Sequence, residues 1–521
     1  MQKILPALLA TLLLPLSGCA VNAVTGERNF QLMGSEWEQQ VGSQMYAPMK
    51  QSQGGDFILD PELTAYVQEV GNSLAERARR KDELDYEFSV LNDWVPNAWA
   101  LPGGKIVVNR GLLTELDSEA ELAAVLGHEI VHADAAHGAR AQSKGMLVQL
   151  GAVATMVVLG STISDPTARE MGMMVPALGA QLLTQKYGRD AERESDEYGM
   201  LYMSEAGYDP QGAVQLQDTF LKLSEGRDSD WLSGLFASHP PSRERLENNR
   251  RTARKLPKGG EAGRERYRQK TDYLRRIQPA YDAFDEANEA IGEEQLGLAQ
   301  EKLDEALALE PRESLFHALQ GDIHALNDQP ERALESYSHA VEANDQLFYG
   351  YLRRGQVSYK LQRGEAARPD LEKSLGLMPT AEAHFLLGML DKQASRFDDA
   401  LKHFQTAAQS DSPSGQSARV ELVRLDAPQN PSRYVATQAA VDDGNEVWAL
   451  IGNRTSVPLR DIEVSYAWLD SQDQARSGKV SYPGPLTGGE QDRLKLGIRL
   501  DNPRKLDQRV RVEITAARIA E

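Results

Sequence analysis

The sequence predicts a multidomain, mainly α protein: an α+β domain, then an α-solenoid, then a small C-terminal β-sandwich. Three observations predict it. A chain of 521 residues is too long for one hydrophobic core. Small residues recur from Ala287 to Ala407 at spacings of 34, 34 and 33 positions. Beyond Pro431 the apolar spacing changes from helical to alternating, with Pro and Gly turns between the runs. The expected divisions are a targeting segment at 1–18, the α+β domain at 19–255, a basic linker or helix at 256–278, the repeats at 279–425 and the β domain at 430–521.

Composition narrows the partners. Lys and Arg number 57 against 77 Asp and Glu, a net charge of −20, which disfavours nucleic acid and predicts a self-repelling, soluble surface. A mean hydropathy of −0.48 leaves no room for a polytopic membrane protein. Cys19 is the single cysteine, so no disulfide can form within the chain.

The N-terminus has the pattern of a targeting segment. Met1-Gln-Lys is a short positive region, and Ile4 to Leu16 is apolar but too short to span a bilayer. Leu16-Ser-Gly-Cys19 resembles the bacterial lipobox, which implies cleavage before Cys19 and lipidation of its thiol. Acyl chains bury many methylenes at about 0.8 kcal/mol each, so such an anchor is stable. Ala20, where an Asp would retain the protein at the inner membrane, resembles outer-membrane sorting. The expected location is the periplasm, lipid-anchored at the outer membrane.

Next, Glu36 to Met49 and Leu63 to Arg79 have amphipathic helical spacing, and Tyr86 to Asn92 alternates as a strand. Asp93 to Asn109 supplies a second strand, interrupted by Pro102-Gly103-Gly104. Glu121 to His132 then forms an apolar helical run holding His128-Glu129-Ile130-Val131-His132, an H-E-x-x-H pattern. Two histidines four apart stand one above the other on a helix face, where one tetrahedral Zn²⁺ can take both. Glu129 can then reach a metal-bound water as general base.

Such a site needs a third protein ligand. In one class of zinc peptidase it is a His ten residues after the first; here that position is Gly138, and His137 is one residue off. In the other class it is a Glu on a later helix. Within Tyr187 to Met200, Glu192 and Asp196 are i and i+4 on one face. Glu192 can ligate the metal while Asp196 accepts a hydrogen bond from a ligand imidazole; Glu194 points to another face and is the weaker candidate.

These pieces resemble the gluzincin peptidases, the family of the membrane heat-shock protease, the CAAX prenyl-protein peptidases and the bacterial beta-barrel assembly-enhancing protease. The resemblance rests on Asn97 to Leu113, on the H-E-x-x-H helix and on Glu192-x-x-x-Asp196, and covers roughly residues 22–250. Gly188 and Ser195 stand where the family usually carries Ser and Ala, small changes that spare the ligands. The resemblance implies a zinc metallopeptidase with one Zn²⁺ per chain on His128, His132 and Glu192. An edge strand beside the H-E-x-x-H helix would align an extended peptide by main-chain hydrogen bonds, with Asn97 and Ala98 in that role. In the assembly-enhancing protease, whose layout this chain resembles, a His in a comparable His-Pro loop lies over the metal and restrains activity. His239 in Phe236-Ala-Ser-His-Pro-Pro-Ser-Arg243 is the matching position, a regulatory or fourth ligand.

Met146 to Leu159 and Met171 to Leu183 are apolar runs too short to cross a membrane, joined by a turn at Ser161 to Pro166, and predict a helical hairpin. A helix is expected over Ala213 to Ser224, and residues 243–276 are basic against the acidic background, with a Gly-rich break at Lys258 to Gly263. The small residues Ala287, Gly321, Gly355 and Gly388, with parallel series from Ala299 and Ala306, resemble tetratricopeptide repeats, which bind protein partners on a concave face. Trp448 to Arg454, Ile462 to Trp468, Leu494 to Leu500 and Val510 to Ile514 are the expected strands of the β domain.

The function these expectations give is a zinc-dependent endopeptidase of the bacterial cell envelope in protein quality control, cleaving misfolded or stalled envelope proteins. The repeats would bind substrates or the outer-membrane assembly machinery, and no nucleic acid is involved. The competing function is a chaperone-like adaptor of outer-membrane protein assembly with a latent zinc site. Glu129 favours catalysis, because a structural zinc site needs no general base and closes with four ligands. A zinc hydrolase of lipid or glycan is disfavoured by the peptide-like edge strand.

Overall fold

A computed structural model describes residues 19–145, 187–226 and 239–520. The targeting segment expected at 1–18 and the hairpin expected between Met146 and Leu183 lie outside the described residues. The chain divides into two compact units, Met1–Gly350 and Tyr351–Glu521. Among the described residues no helix is long and apolar enough to cross a membrane.

The first unit opens with an antiparallel hairpin, β1 (Cys19–Val21) and β2 (Arg28–Phe30). Helices α1 (Ser35–Gln51) and α2 (Pro61–Ala75) follow at the amphipathic runs. Asp60 caps α2 by accepting from the Leu63 amide at 3.1 Å, with Pro61 in the first turn where no N–H is needed. A three-stranded sheet comes next, ordered β3 (Glu87–Leu91), β5 (Lys105–Asn109), β4 (Ala98–Leu101). β3 runs parallel to β5 and β4 antiparallel to it. The interrupted strand expected over Asp93 to Asn109 is thus two strands folded back on each other. Gly103 and Gly104 turn the chain at φ of +90° and +88°, conformations that favour glycine. β4 is left as an edge strand.

After α3 (Arg110–Glu115) comes α4 (Glu119–Asp134), the H-E-x-x-H helix. Its N-terminus is tied by reciprocal contacts. Ser118 Oγ accepts from the Glu121 amide at 3.2 Å, and Glu121 Oε2 accepts from the Asp117 amide at 2.6 Å. Every residue of α4 is buried, which explains a run apolar on nearly all sides. Helix α5 (Arg189–Glu205) crosses α4 where both backbones are bare. A Cβ at Gly199 would come within 3.0 Å of Gly127 C and His128 N, and one at Gly127 within 3.0 Å of Gly199 O. The glycine pair lets the two helices approach closely, directly beside His128. Helices α6 (Gln211–Gly226) and α7 (Arg243–Lys255) close the domain. Val70, Ile106, Leu122, Leu126, Met203 and Phe220 share one core, each contributing about 1.5–3 kcal/mol by burial.

The basic stretch forms α8 (Arg264–Lys270) and enters α9 (Asp272–Gly292). Pro279, the expected start of the repeats, lies inside α9, so that boundary falls within a helix. In the first unit helices α10 (Leu296–Leu309), α11 (Ser314–Leu326) and α12 (Pro330–Ala343) follow; α13 (Phe348–Lys360) lies at the division, and the second unit holds α14 (Gly364–Leu377), α15 (Ala381–Gln393), α16 (Phe397–Ala407) and α17 (Pro413–Asp426). The periodic small residues sit where helices meet. Ala299, Ala333, Ala367 and Ala400 are fully buried, and a Cβ on Gly321 or Gly388 would strike the rings of Tyr337 or Phe404. The turns carry a second periodicity. Glu294, Asp328, Gln362 and Ser395 all take left-handed φ near +60°.

In the second unit the β domain has six strands rather than the expected four. β7 (Glu446–Asn453) lies between β10 (Gln491–Arg499) and β6 (Val435–Val441). β8 (Leu459–Leu469) lies between β11 (Val510–Ile519) and β9 (Ala475–Ser481). Val447 and Ile451 from one sheet and Ile462, Val464 and Ile514 from the other share one core, as in a sandwich. The two unexpected strands, β6 and β9, are sheet edges. β9 is largely exposed and carries little apolar alternation to announce it.

Candidate metal centre

Helix α4 presents His128 and His132 side by side, with Nε2 atoms 3.0 Å apart. Helix α5 brings Glu192 to them, Oε1 at 3.4 Å from His132 Nε2 and Oε2 at 3.6 Å from His128 Nε2. His239, ahead of Pro240-Pro241, adds a third imidazole: Nδ1 lies 3.0 Å from Glu192 Oε1 and 3.3 Å from His128 Nε2. Donor atoms of these four buried residues all lie within 4.8 Å of one another. Glu194 is outside the cluster, against His137 and Arg140.

The hydrogen-bond pattern tests the fit to a cation. His128 Nδ1 meets Asp196 Oδ1 at 3.0 Å, and His132 Nδ1 meets His137 Nδ1 at 2.9 Å. Protons placed on the two Nδ1 atoms satisfy both contacts. Each Nε2 then turns a bare lone pair toward the other and toward a carboxylate, an arrangement a metal ion resolves. Burial holds the His132 imidazole well below its ordinary pKa, consistent with a neutral ligand. Burial alone would raise the Glu192 carboxyl, yet His239, His132 and His128 hold it far below the usual carboxylate range. Burial opposes protonation of His239, but Glu192 and Glu129 outweigh it and raise its pKa. The pocket pulls positive charge into itself.

Arg245, at the third position of α7, completes the charge set, and sequence reasoning missed it. Its Nε and Nη2 grip Asp196 Oδ2 and Oδ1, both at 2.7 Å, and Nη1 lies 2.9 Å from Glu192 Oε2. Ser242 Oγ accepts from the Arg245 amide at 3.1 Å, so the helix cap that starts α7 also aims the guanidinium. Burial would raise the Asp196 carboxyl, and Arg245 overcomes that and lowers it. The only available signal was its place three residues after a cap, among several equally basic neighbours. Tyr187, also unassigned beforehand, packs its ring 4.1 Å from that of His132.

Glu129 is 3% exposed, and among the described residues its Oε2 has no hydrogen-bond partner. Its Oε1 lies 3.5 Å from His239 Nε2. A cavity of about 30 Å³, room for a water, lies against Glu129, His128, His239 and Ala98. The edge strand divides the two positions expected to meet a peptide. The Asn97 carbonyl is taken by the Asn109 amide at 2.8 Å, inside the sheet. Ala98 pairs with Val108 one step along the ladder, so its N–H and C=O turn to the open edge. Cys19 is the first residue of β1.

Comparison with known proteins agrees with this geometry. Residues 61–253 match the profile of Peptidase family M48 and residues 284–347 that of the tetratricopeptide repeat. The chain is 32% identical over 205 residues to the beta-barrel assembly-enhancing protease of Yersinia pestis, covering 38% of this chain and 40% of that one. It is 29% identical over 205 residues to the protein of that name in Escherichia coli strain K12, with the same coverage. To mitochondrial metalloendopeptidase OMA1 of Arabidopsis thaliana it is 30% identical over 203 residues, 37% of this chain and 39% of that one. The chain thus spans about two fifths of the length of these relatives. It carries a family M48 peptidase domain, whose family implies a metal ion, together with tetratricopeptide repeats.

Replacing Arg245 tests the charge balance. Arg245→Met leaves Asp196 and Glu192 buried without their cation, which should cost about 3–5 kcal/mol of stability when metal is removed by chelator. The loss should shrink when a divalent metal is supplied. Thermal unfolding in both conditions measures it.

Proposed function

We propose that this chain is a zinc-dependent endopeptidase of the bacterial cell envelope, acting on misfolded or stalled envelope proteins. The observation that carries the reading is the convergence of His128, His132 and Glu192 beside a buried Glu129 whose Oε2 is unpartnered among the described residues. Two imidazoles and a carboxylate are a donor set suited to Zn²⁺. Bound there, the ion would supply a Lewis-acidic centre for the attacking water and the scissile carbonyl.

The chain's own residues do the rest. Glu129 is placed to take a proton from the attacking water and to return it to the leaving amine. Asp196, held by Arg245, fixes the tautomer and direction of His128. Ala98 lies on a stretch of edge strand that is unpaired among the described residues, beside the cavity, where an extended peptide can align by main-chain hydrogen bonds. The repeats offer a surface for protein substrates or for the outer-membrane assembly machinery. The names of the two bacterial relatives and the lipobox-like segment before Cys19 support the envelope setting, with a lipid anchor at the outer membrane.

One observation favours a second reading, an adaptor whose metal site is latent. His239 places a further donor in the cluster, where a catalytic zinc keeps a position open for water. In our reading His239 shields the resting enzyme and must be displaced by substrate.

Glu129→Gln should keep stoichiometric zinc and lose hydrolysis of casein or an unfolded envelope protein by about 10²–10⁴-fold. His132→Ala and Glu192→Ala should lose the metal itself. Equal activity in Glu129→Gln contradicts the peptidase reading. His239→Ala should raise basal proteolysis several-fold with zinc retained; a fall in kcat at full zinc occupancy makes His239 a catalytic group instead. Mass spectrometry of the mature chain should find a lipid-modified Cys19, and an unmodified N-terminus elsewhere counts against the anchor.

A further inference from the structure

Behind the two helix-borne imidazoles lies a second layer of contacts, and its two arms differ. His128 is backed by a carboxylate clamped within the domain, Asp196 on Arg245. His132 is backed by a further imidazole: its Nδ1 lies 2.9 Å from His137 Nδ1, and His137 Nε2 lies 3.5 Å from Glu194 Oε1. Glu194 in turn accepts from Asn22 Nδ2 at 2.6 Å, across 172 positions of sequence. Asn22 is buried and sits at the turn between β1 and β2, where its Oδ1 accepts from the Val24 amide at 2.9 Å. The chain after β2 is fastened too: the Leu32 and Met33 amides reach Ser143 Oγ at 2.9 and 3.3 Å.

The tautomers allow one consistent assignment along this arm. His132 turns Nε2 to the cluster, so its hydrogen is on Nδ1, and that hydrogen needs an acceptor. His137 Nδ1 is the atom in place, which puts the hydrogen of His137 on Nε2, facing Glu194. His137 Nε2 has no hydrogen-bond partner within strict reach among the described residues, and the Glu194 carboxylate faces it at 3.5 Å. Asn22 then fixes where that carboxylate stands.

We propose that His137, Glu194 and Asn22 are positioning residues for His132, making the N-terminal hairpin a working part of the metal centre. This rests on the reading of the cluster as a metal site. An imidazole whose far nitrogen is held keeps its lone pair aimed at the metal; loss of such support costs about 10–100-fold in metal affinity. The arm also joins the segment that follows Cys19 to a metal ligand. Displacement of the hairpin is therefore felt at His132 and not at His128, which has its own support.

The test uses the full chain, with Zn²⁺ competed against a chromophoric chelator and the absorption spectrum of the Co²⁺-loaded protein. His137→Phe should weaken Zn²⁺ binding about 10–100-fold and alter the Co²⁺ bands. His137→Gln, which keeps an acceptor for the His132 Nδ1 hydrogen, should recover most of the affinity. Asn22→Leu should weaken binding in the same direction by a smaller factor. If wild type takes up no stoichiometric metal, or His132→Ala keeps it, the metal-site reading itself fails. If wild type binds and both His137→Phe and Asn22→Leu match it in affinity and spectrum, the positioning role is overturned. Equal weakening by Phe and Gln at position 137 overturns it as well. Should His137→Phe fail to fold, His137→Gln and Asn22→Leu decide between these outcomes.

Discussion

Buried negative charge is the constraint around which the first unit is built. Glu129, Glu192 and Asp196 are between 3 and 9% exposed, and one guanidinium, Arg245, stands among them. An uncompensated buried ion costs several kcal/mol even after relaxation. The neighbouring groups respond in the direction this predicts, with His239 drawn toward its protonated form and Glu192 held ionised. A divalent cation among His128, His132 and Glu192 satisfies the same deficit with better geometry than a proton on one ring, because it also resolves the two opposed Nε2 lone pairs.

Much of the backbone around that point serves to hold these groups together. The glycines at the crossing of α4 and α5 bring Glu192 and Asp196 onto the histidine face. The Ser118 cap fixes the start of α4, and the Ser242 cap fixes Arg245 at the start of α7. The turn at Gly103 and Gly104 folds β4 back on β5 and leaves Ala98 at an open edge beside Glu129. His128, Glu129, His239 and the Ala98 edge strand thus line one cavity, the combination our reading of peptide hydrolysis requires.

Local spacing made part of this legible in the sequence. The i, i+4 pairs His128/His132 and Glu192/Asp196 each define one helix face, and the structure brings those faces together. The recurring small residues gave the helical array because a Cβ at Gly321 or Gly388 has no room, a requirement that shows in composition. Features set by long-range contact were not legible. Arg245 is one of many arginines in a basic stretch, and only the fold selects it. Asn22 meets Glu194 across most of the domain, which no local pattern records. The left-handed turns of the repeats fall on Glu294, Asp328, Gln362 and Ser395, residues with no shared side-chain chemistry to mark them. β9 escaped because an exposed edge strand needs no apolar face.

X-ray absorption at the zinc edge, on protein loaded with one equivalent of Zn²⁺, tests the central claim most directly. The account predicts a low-coordinate shell of nitrogen and oxygen at about 2.0–2.1 Å, with the outer-shell scattering of at least two imidazoles. A shell of water and carboxylate oxygens without imidazole scattering would contradict it.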